Sequence, residues 1–515
     1  MKMKKTYVDV MIILAVAGFI MFFKLGAVPL LDPDEPVYMQ TAMEMLANHD
    51  FISPRIYGDF WYDKPPMYYW LVAAMVKVFG VSEFAARLPS AILAIAGALG
   101  VYFYGRSLLD QRSALYGALV LVTSFEYFYL GKAAVTDITL MFFFSGAVFA
   151  YLKQQYSWLY ACMGCAVLTK GPVGIVLPLA IIFLHLLLSK NLKEILQMKL
   201  LRGAMIFLAI ATPWYILMYN IHGREFIETF LGFHNVTRFL EPEHSSGQIW
   251  YYYVPVLLVG FFPWTAYVFQ ALREGWKNRK GECGKVITCL MIWLSVVFVF
   301  FSISQTKLIS YILPMYPPLA LLTGWYIERC VLDLRTRQFN LAGIAMAFFS
   351  LCIIIALEVT AEKKLGVQVE GIWYLGIVLF MMNGLNFLGN LCKNKRYSLA
   401  GTVIGMMCFV VILMQHILPV AAEFVSVKST AVVFRQVYTD KTVPVYVEKF
   451  YRPGFCFYTG IAGKELNEDI QTVLKDNNQA YLLVREDTFE NLSKTEKARL
   501  MILNKQDKLL LICKV

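Results

Sequence analysis

MKMKKTYVDVMIILAVAGFIMFFKLGAVPLLDPDEP, residues 1–36, sets the terms for the rest of the chain. Lys2, Lys4 and Lys5 precede a mostly apolar run from Val8 to Leu25, and three acids, Asp32, Asp34 and Glu35, follow it. A helix rises about 1.5 Å per residue and the hydrocarbon core is about 30 Å thick, so such a run is long enough to span. No small-residue cleavage site follows, and the expectation is a retained signal-anchor helix.

The pattern recurs. Of 515 residues, 58% are hydrophobic and 16% charged, against roughly 45–50% and about 25% in soluble chains. About thirteen spans are expected on the length ruler, near 8–25, 85–105, 113–131, 137–153, 156–169, 173–189, 203–220, 249–271, 286–303, 308–327, 340–358, 372–391 and 398–420. The net charge of +11 comes largely from short loops between apolar runs. That is an orientation signal rather than a nucleic-acid stripe. With the N-terminus in the cytoplasm, alternation puts Arg106/Arg112, Lys190–Arg202, Arg273–Lys285, Arg329–Arg337 and Lys393–Arg396 on the same side. Only the pair Lys363/Lys364 falls outside.

The opposite, extracytoplasmic face receives loops 26–84 and 221–248 and everything after about residue 421. The expected division is a membrane catalytic domain over 1–424 and a small soluble α/β domain over 425–515. In the latter, β-rich runs (Val443–Val447, Ala480–Val484, Leu509–Cys513) alternate with helix-prone stretches. Within the first loop, Val37, Tyr38, Thr41, Ala42 and Met45 share one face of an interfacial helix, and Met67–Phe79 is apolar but short for a span. The ten cysteines show no metal-ligand spacing. Cys162 and Cys165 read as packing within a span, and sequence leaves open whether Cys456 and Cys513 pair.

Five polar groups fall on the extracytoplasmic side. Asp32-Pro33-Asp34-Glu35-Pro36 reads either as a helix cap or as a general base with a second acid beside it. Trp61-Tyr62-Asp63-Lys64-Pro65-Pro66 reads either as an aromatic belt with a snorkelling lysine or as a phosphate clasp. Thr136-Asp137 is a cap or a site acid. Phe233–Phe239 places His234 and Arg238 four residues apart, which suits an anion or metal, with Glu241, Glu243 and His244 following. Ser304–Pro314 places Lys307 and Tyr311 four apart. Their shared sidedness is a stronger signal than any one of them.

Taken in order, these segments resemble the GT-C membrane glycosyltransferases that use polyprenyl-phosphate sugars. The closest branch is the aminoarabinose (lipid A) transferases, and the protein O-mannosyltransferases are more distant. The matching pieces are Asp32–Glu35 with Tyr38, Asp63–Pro66, Leu168–Gly171, His234–Arg238–Phe239 and Lys307–Pro314. The resemblance implies a GT-C helical membrane fold in a bacterial inner membrane, with its active site and terminal domain on the periplasmic side. It implies Asp34 as the base with Glu35 beside it, and a further buried acid, Asp137. Lys64, Arg238 and Tyr311 would hold the carrier phosphate, joined by Lys307. It associates a zinc ion with the positions of Asp63 and His234. Pro36-Val37 stands where family members often carry Gly-Arg or Ala-Arg, so sugar or acceptor specificity is expected to differ.

The expected reaction moves a pentosyl or hexosyl unit from an undecaprenyl-phosphate donor to lipid A or another glycolipid, with inversion. A protein acceptor is the alternative within the class. The rival from another class is a lipid or solute transporter. Transporters place sites at the midplane between inverted repeats, and no repeat is visible here.

Overall fold

The structure is a computed structural model. It describes residues 2–237, 240–241, 249–332, 336–392, 395–466, 470–475, 479–506 and 508–514, and the side chains of a few of these, His234 among them, lie outside that description. Most of the chain is helical, and the polar chemistry gathers where several helices end.

The first half runs α1 (Lys2–Phe22), α2 (Asp34–Asn48), α3 (Met67–Phe79), α4 (Glu83–Leu108), α5 (Gln111–Thr123), α6 (Phe125–Gly131), α7 (Asp137–Leu152), α8 (Tyr156–Lys170), α9 (Val173–Leu188) and α10 (Leu200–Phe226). Among the described residues, seven helices are long and apolar enough to cross a membrane, or up to nine if each of two bent pairs counts as one span. A count of thirteen is therefore not confirmed. Each expected run is helical over most of its length, but α7, α8 and α9 have only 16, 15 and 16 residues. At 1.5 Å per residue they fall short of a ~30 Å core. The run over 113–131 is the α5–α6 pair, bent by 66°, and that over 249–271 is Tyr253–Gly260 with Thr265–Lys277, bent by 108°. Hydropathy reports composition and is blind to such bends.

Helices approach closely where side chains are absent. A Cβ on Gly324 would lie 2.3 Å from the backbone nitrogen of Gly117, so α5 and the helix Tyr316–Leu332 meet backbone to backbone. Small residues at such crossings allow the dense packing that holds membrane helices together. Gly324→Ala is expected to force the two apart, costing about 1–3 kcal/mol as an overpacked core does. A lowered melting temperature of the detergent-purified protein checks this.

The last span-length segment, Arg396–Val425, leads into a sheet of order β4-β3-β5-β7-β6. Its strands are β3 (Val445–Glu448), β4 (Lys464–Leu466), β5 (Ala480–Arg485), β6 (Leu500–Gln506) and β7 (Leu509–Lys514). Strand β3 pairs parallel to β4 and β5, and β7 pairs antiparallel to β5 and β6. β4 and β6 lie outside the runs expected from sequence, because LMILNKQ over β6 does not alternate cleanly. Cys456 and Cys513 are buried and unpaired, and Cys162 and Cys165 are free.

This unit docks on the first loop. Lys428 pairs with Glu83 at 2.7 Å, and Leu30 donates its N–H to the Tyr458 hydroxyl at 2.8 Å. The Arg452 guanidinium lies 3.9 Å above the Tyr57 ring. Tyr57 sits with φ of 61° at the tip of a hairpin formed by β1 (Arg55–Ile56) and β2 (Asp59–Phe60). The Glu44 carboxylate accepts the N–H groups of Tyr57 and Gly58 across that tip.

Candidate active site at the helix ends

Asp34 and Glu35 open α2 behind Pro33, in the first turn where the helix dipole favours anions. Adjacent on a helix, they point about 100° apart and meet different surroundings. Glu35 is buried, and each of its oxygens accepts two hydrogen bonds. Oε1 takes Arg87 Nε at 2.8 Å and Ala134 N at 2.7 Å, while Oε2 takes an Arg87 terminal nitrogen at 2.6 Å and Leu31 N at 2.8 Å. Arg87 spends its remaining three protons on the carbonyls of Leu25, Val28 and Pro29. Both groups are saturated. Glu35 therefore stitches three segments together: the acidic loop, α4, and the stretch leading into Asp137.

Asp34 is solvent-accessible and has Asp63, Lys64, Glu35 and Asp137 for neighbours. Loss of water around the carboxyl, then the carboxylates of Asp137 and Asp63, push its pKa above the ordinary range, against the pull of Lys64. The charge interactions among these causes mark Asp137, Asp63 and Lys64 as neighbours of Asp34. Tyr38, one turn along α2, feels Asp63, Asp137 and Asp34 as well as Tyr69, and burial keeps its hydroxyl protonated.

Asp137 begins α7 but caps nothing; it pairs with Lys170 at 2.6 Å. Lys170 ends α8 and lies 4.6 Å from the centroid of the Tyr311 ring, so Tyr311, Lys170 and Asp137 form one run of contacts leading toward Asp34. Lys64 pairs with its neighbour Asp63 at 2.8 Å. The sequence reading quotes Lys170 within a motif but assigns it no role. Its pairing with Asp137 spans 33 positions and depends on α7 and α8 packing side by side.

Lys307 is buried, and burial pushes its pKa down. It does not share a helix face with Tyr311. Leu308 is extended (φ −118°, ψ 148°), and a 3₁₀ turn, Ile309–Met315, carries Tyr311. Residues Ile227–Thr237 are π-helical. Arg238, Phe239, Glu243 and His244 lie outside the described residues, as does the His234 side chain.

Among the described residues no three His, Cys, Asp or Glu side chains gather closely enough to hold a metal ion. Asp63 pairs with Lys64 at 2.8 Å and the His234 side chain lies outside the described residues, so the expected zinc pair is not brought together here and no step below passes through a metal. A buried acid lies inside the expected run 113–131: Glu126, in α6, accepts a hydrogen bond from the Tyr316 hydroxyl at 2.5 Å. A lone glutamate in an apolar run was the available signal.

Comparison with known proteins completes the picture. Residues 63–217 match the family described as dolichyl-phosphate-mannose-protein mannosyltransferase. Two uncharacterized proteins of Aquifex aeolicus are each 30% identical, over 60% and 64% of this chain. The chain covers 61% of the first, which is less than two thirds, and 74% of the second. An undecaprenyl phosphate-α-4-amino-4-deoxy-L-arabinose arabinosyl transferase of Pectobacterium carotovorum is 29% identical over 73% of this chain and 68% of its own length. Among solved structures, ArnT from Cupriavidus metallidurans bound to undecaprenyl phosphate superposes with a TM-score of 0.80 over 98% of both chains at 22% identity. An Archaeoglobus fulgidus oligosaccharyltransferase in the apo form shares the fold more loosely, with a TM-score of 0.55 over 93% of this chain and 69% of its own at 11% identity.

Proposed function

Since the chain belongs to the GT-C membrane glycosyltransferases, close to the aminoarabinose transferases, we propose that it moves a sugar from undecaprenyl phosphate to a glycolipid such as lipid A on the extracytoplasmic face. The observation that carries this reading is the convergence of Asp34, Asp63 and Asp137 with Lys64 and Lys170, and with Tyr311 against Lys170. The basic loops favour a cytoplasmic N-terminus and an outward site.

In the proposed reaction the acceptor oxygen attacks the anomeric carbon as the bond from that carbon to the phosphate oxygen breaks. The configuration inverts, and undecaprenyl phosphate leaves carrying the extra negative charge. Lys64, Lys170 and Lys307, Arg238 and the Tyr311 hydroxyl bind that phosphate and stabilise the charge as it grows. Asp34 takes the proton of an acceptor hydroxyl, whereas a phosphate acceptor arrives deprotonated and Asp34 then orients it. Glu35 is saturated by its partners and serves as scaffold. The lipid tail of the donor accounts for a site at the ends of helices.

Lys64 and Lys170 already face carboxylates, so an incoming phosphate replaces Asp63 and Asp137 as their partner. Lys64→Gln and Lys170→Gln are each expected to weaken binding of undecaprenyl phosphate about 10- to 100-fold, the worth of one charge-assisted hydrogen bond. Titration of the purified variants with that lipid checks it. The reading itself is tested with a panel of polyprenyl-phosphate sugars presented with lipid A and with Ser/Thr peptides. Transfer to lipid A supports it. Transfer to peptide alone selects the protein-acceptor reading, which the match over residues 63–217 favours. Transfer from no lipid-linked donor overturns both.

A further inference from the structure

Asp32 belongs to the acidic motif, yet its carboxylate is bound by the terminal domain. It is 6% exposed. One oxygen accepts the N–H of Gly454 at 3.0 Å and the other that of Val427 at 3.0 Å. These two N–H groups sit at the starts of two helices, Arg452–Thr459 and Lys428–Val437. The carboxylate thus lies where two helix dipoles and two otherwise unpartnered amides meet it. Gly454 is required by closeness: a Cβ there would stand 2.2 Å from an Asp32 oxygen. Leu30, two residues earlier, is held by Tyr458 of the same unit, and Tyr458 also donates to Glu83.

Asp34 is therefore fixed from both sides. Arg87 holds the carbonyls of Leu25, Val28 and Pro29 as well as Glu35, while the terminal domain holds Leu30 and Asp32. Of the three acids between positions 32 and 35, Asp34 alone is left open to solvent. Catalytic groups need to be held to within about 0.5 Å by neighbours that are themselves locked.

We infer that Asp32 is a positioning residue: clamped between the two helix starts, it makes the terminal domain the element that sets the place of Asp34. This rests on Asp34 being the acceptor-side group proposed above. The terminal domain is then part of the catalytic apparatus, bound to the motif through a side chain 395 and 422 positions away from its partners.

Two variants approach the clamp from opposite sides, so loss of fold in one leaves the other to decide. Asp32→Asn puts an amide hydrogen against an N–H, and Gly454→Ala drives a methyl into the carboxylate. In the full-length purified protein each is expected to lower kcat about 10- to 100-fold, as a misplacement of about 1 Å does. KM for the undecaprenyl-phosphate sugar should stay within about 3-fold, because the phosphate-binding side chains are untouched. Lys505→Gln, at an exposed pair on the same domain, serves as the control and should transfer normally. Unchanged kcat in Asp32→Asn or Gly454→Ala, with Asp34→Asn inactive, would overturn the clamp and leave the function standing. A parallel fall in kcat, donor affinity and melting temperature would also overturn it, as the mark of a merely structural contact. Full activity in Asp34→Asn would instead strike at the underlying reading.

Discussion

Asp34→Asn should lower turnover about 10²- to 10⁴-fold, the usual worth of a positioned general base, while donor-phosphate binding persists. Asparagine keeps the shape and removes only the capacity to accept a proton. Because burial and the charges of Asp137 and Asp63 raise the Asp34 pKa above the ordinary 3.8, the active, ionised form is lost as pH falls through that raised value. The acid limb of the kcat profile should therefore lie above the usual aspartate range. Removing a neighbouring negative charge by Asp137→Asn lowers the pKa and moves that limb to lower pH. The sign for stability is opposite to that for activity. A raised carboxylate pKa means that ionising Asp34 strains the fold: its contribution is complete below 3.8 and is lost as pH rises through the folded value. Asp34→Asn should accordingly melt no lower than the parent at neutral pH, and higher if anything. That combination, activity lost with stability kept, separates a chemical role from a structural one. A variant that still transfers sugar to a hydroxyl acceptor at the parent rate would remove Asp34 from the proton-transfer step.

The sequence made the helices legible because each rests on local hydrophobic composition. The amphipathic α2 is a clear case: of Val37, Tyr38, Thr41, Ala42 and Met45, expected on one face, all are buried except Val37, which is half-buried. The division of labour among Asp32, Asp34 and Glu35 was not legible, since three carboxylates in four positions are chemically alike until their partners arrive. Those partners are remote. Glu35 meets Arg87 from α4, and Asp32 meets amides from the last fifth of the chain. Lys170 reaches Asp137 only because α7 and α8 lie side by side. An arginine inside the apolar run 85–105 was a readable sign that an acid must face it, but its identity needed the topology. Conversely, the four-residue spacing of Lys307 and Tyr311 suits a shared helix face, and an extended Leu308 between them removes it.

The Glu35–Arg87 pair carries the second large effect. Removing one member of a buried, hydrogen-bonded ion pair costs about 3–5 kcal/mol, because the survivor keeps its charge without a partner. Arg87→Met should be the worse of the two. It strands Glu35 and also frees the carbonyls of Leu25, Val28 and Pro29, each buried acceptor adding about 1–3 kcal/mol if water cannot reach it. Glu35→Gln retains an acceptor for Leu31 or Ala134, yet leaves the guanidinium half-satisfied. Thermal unfolding in detergent, with both single variants and the double variant, separates the terms. The double variant should be less destabilised than the sum of the singles, by a coupling of about 0.5–3 kcal/mol. Activity should fall with stability in all three, since the same pair ties the loop bearing Asp34 to the strand of chain that delivers Asp137 through Ala134. Additive losses would mean that the two side chains do not interact in the folded protein. Retained turnover in Glu35→Gln with a lowered melting temperature would show that the stitch supports the fold without setting the distance between the two acids.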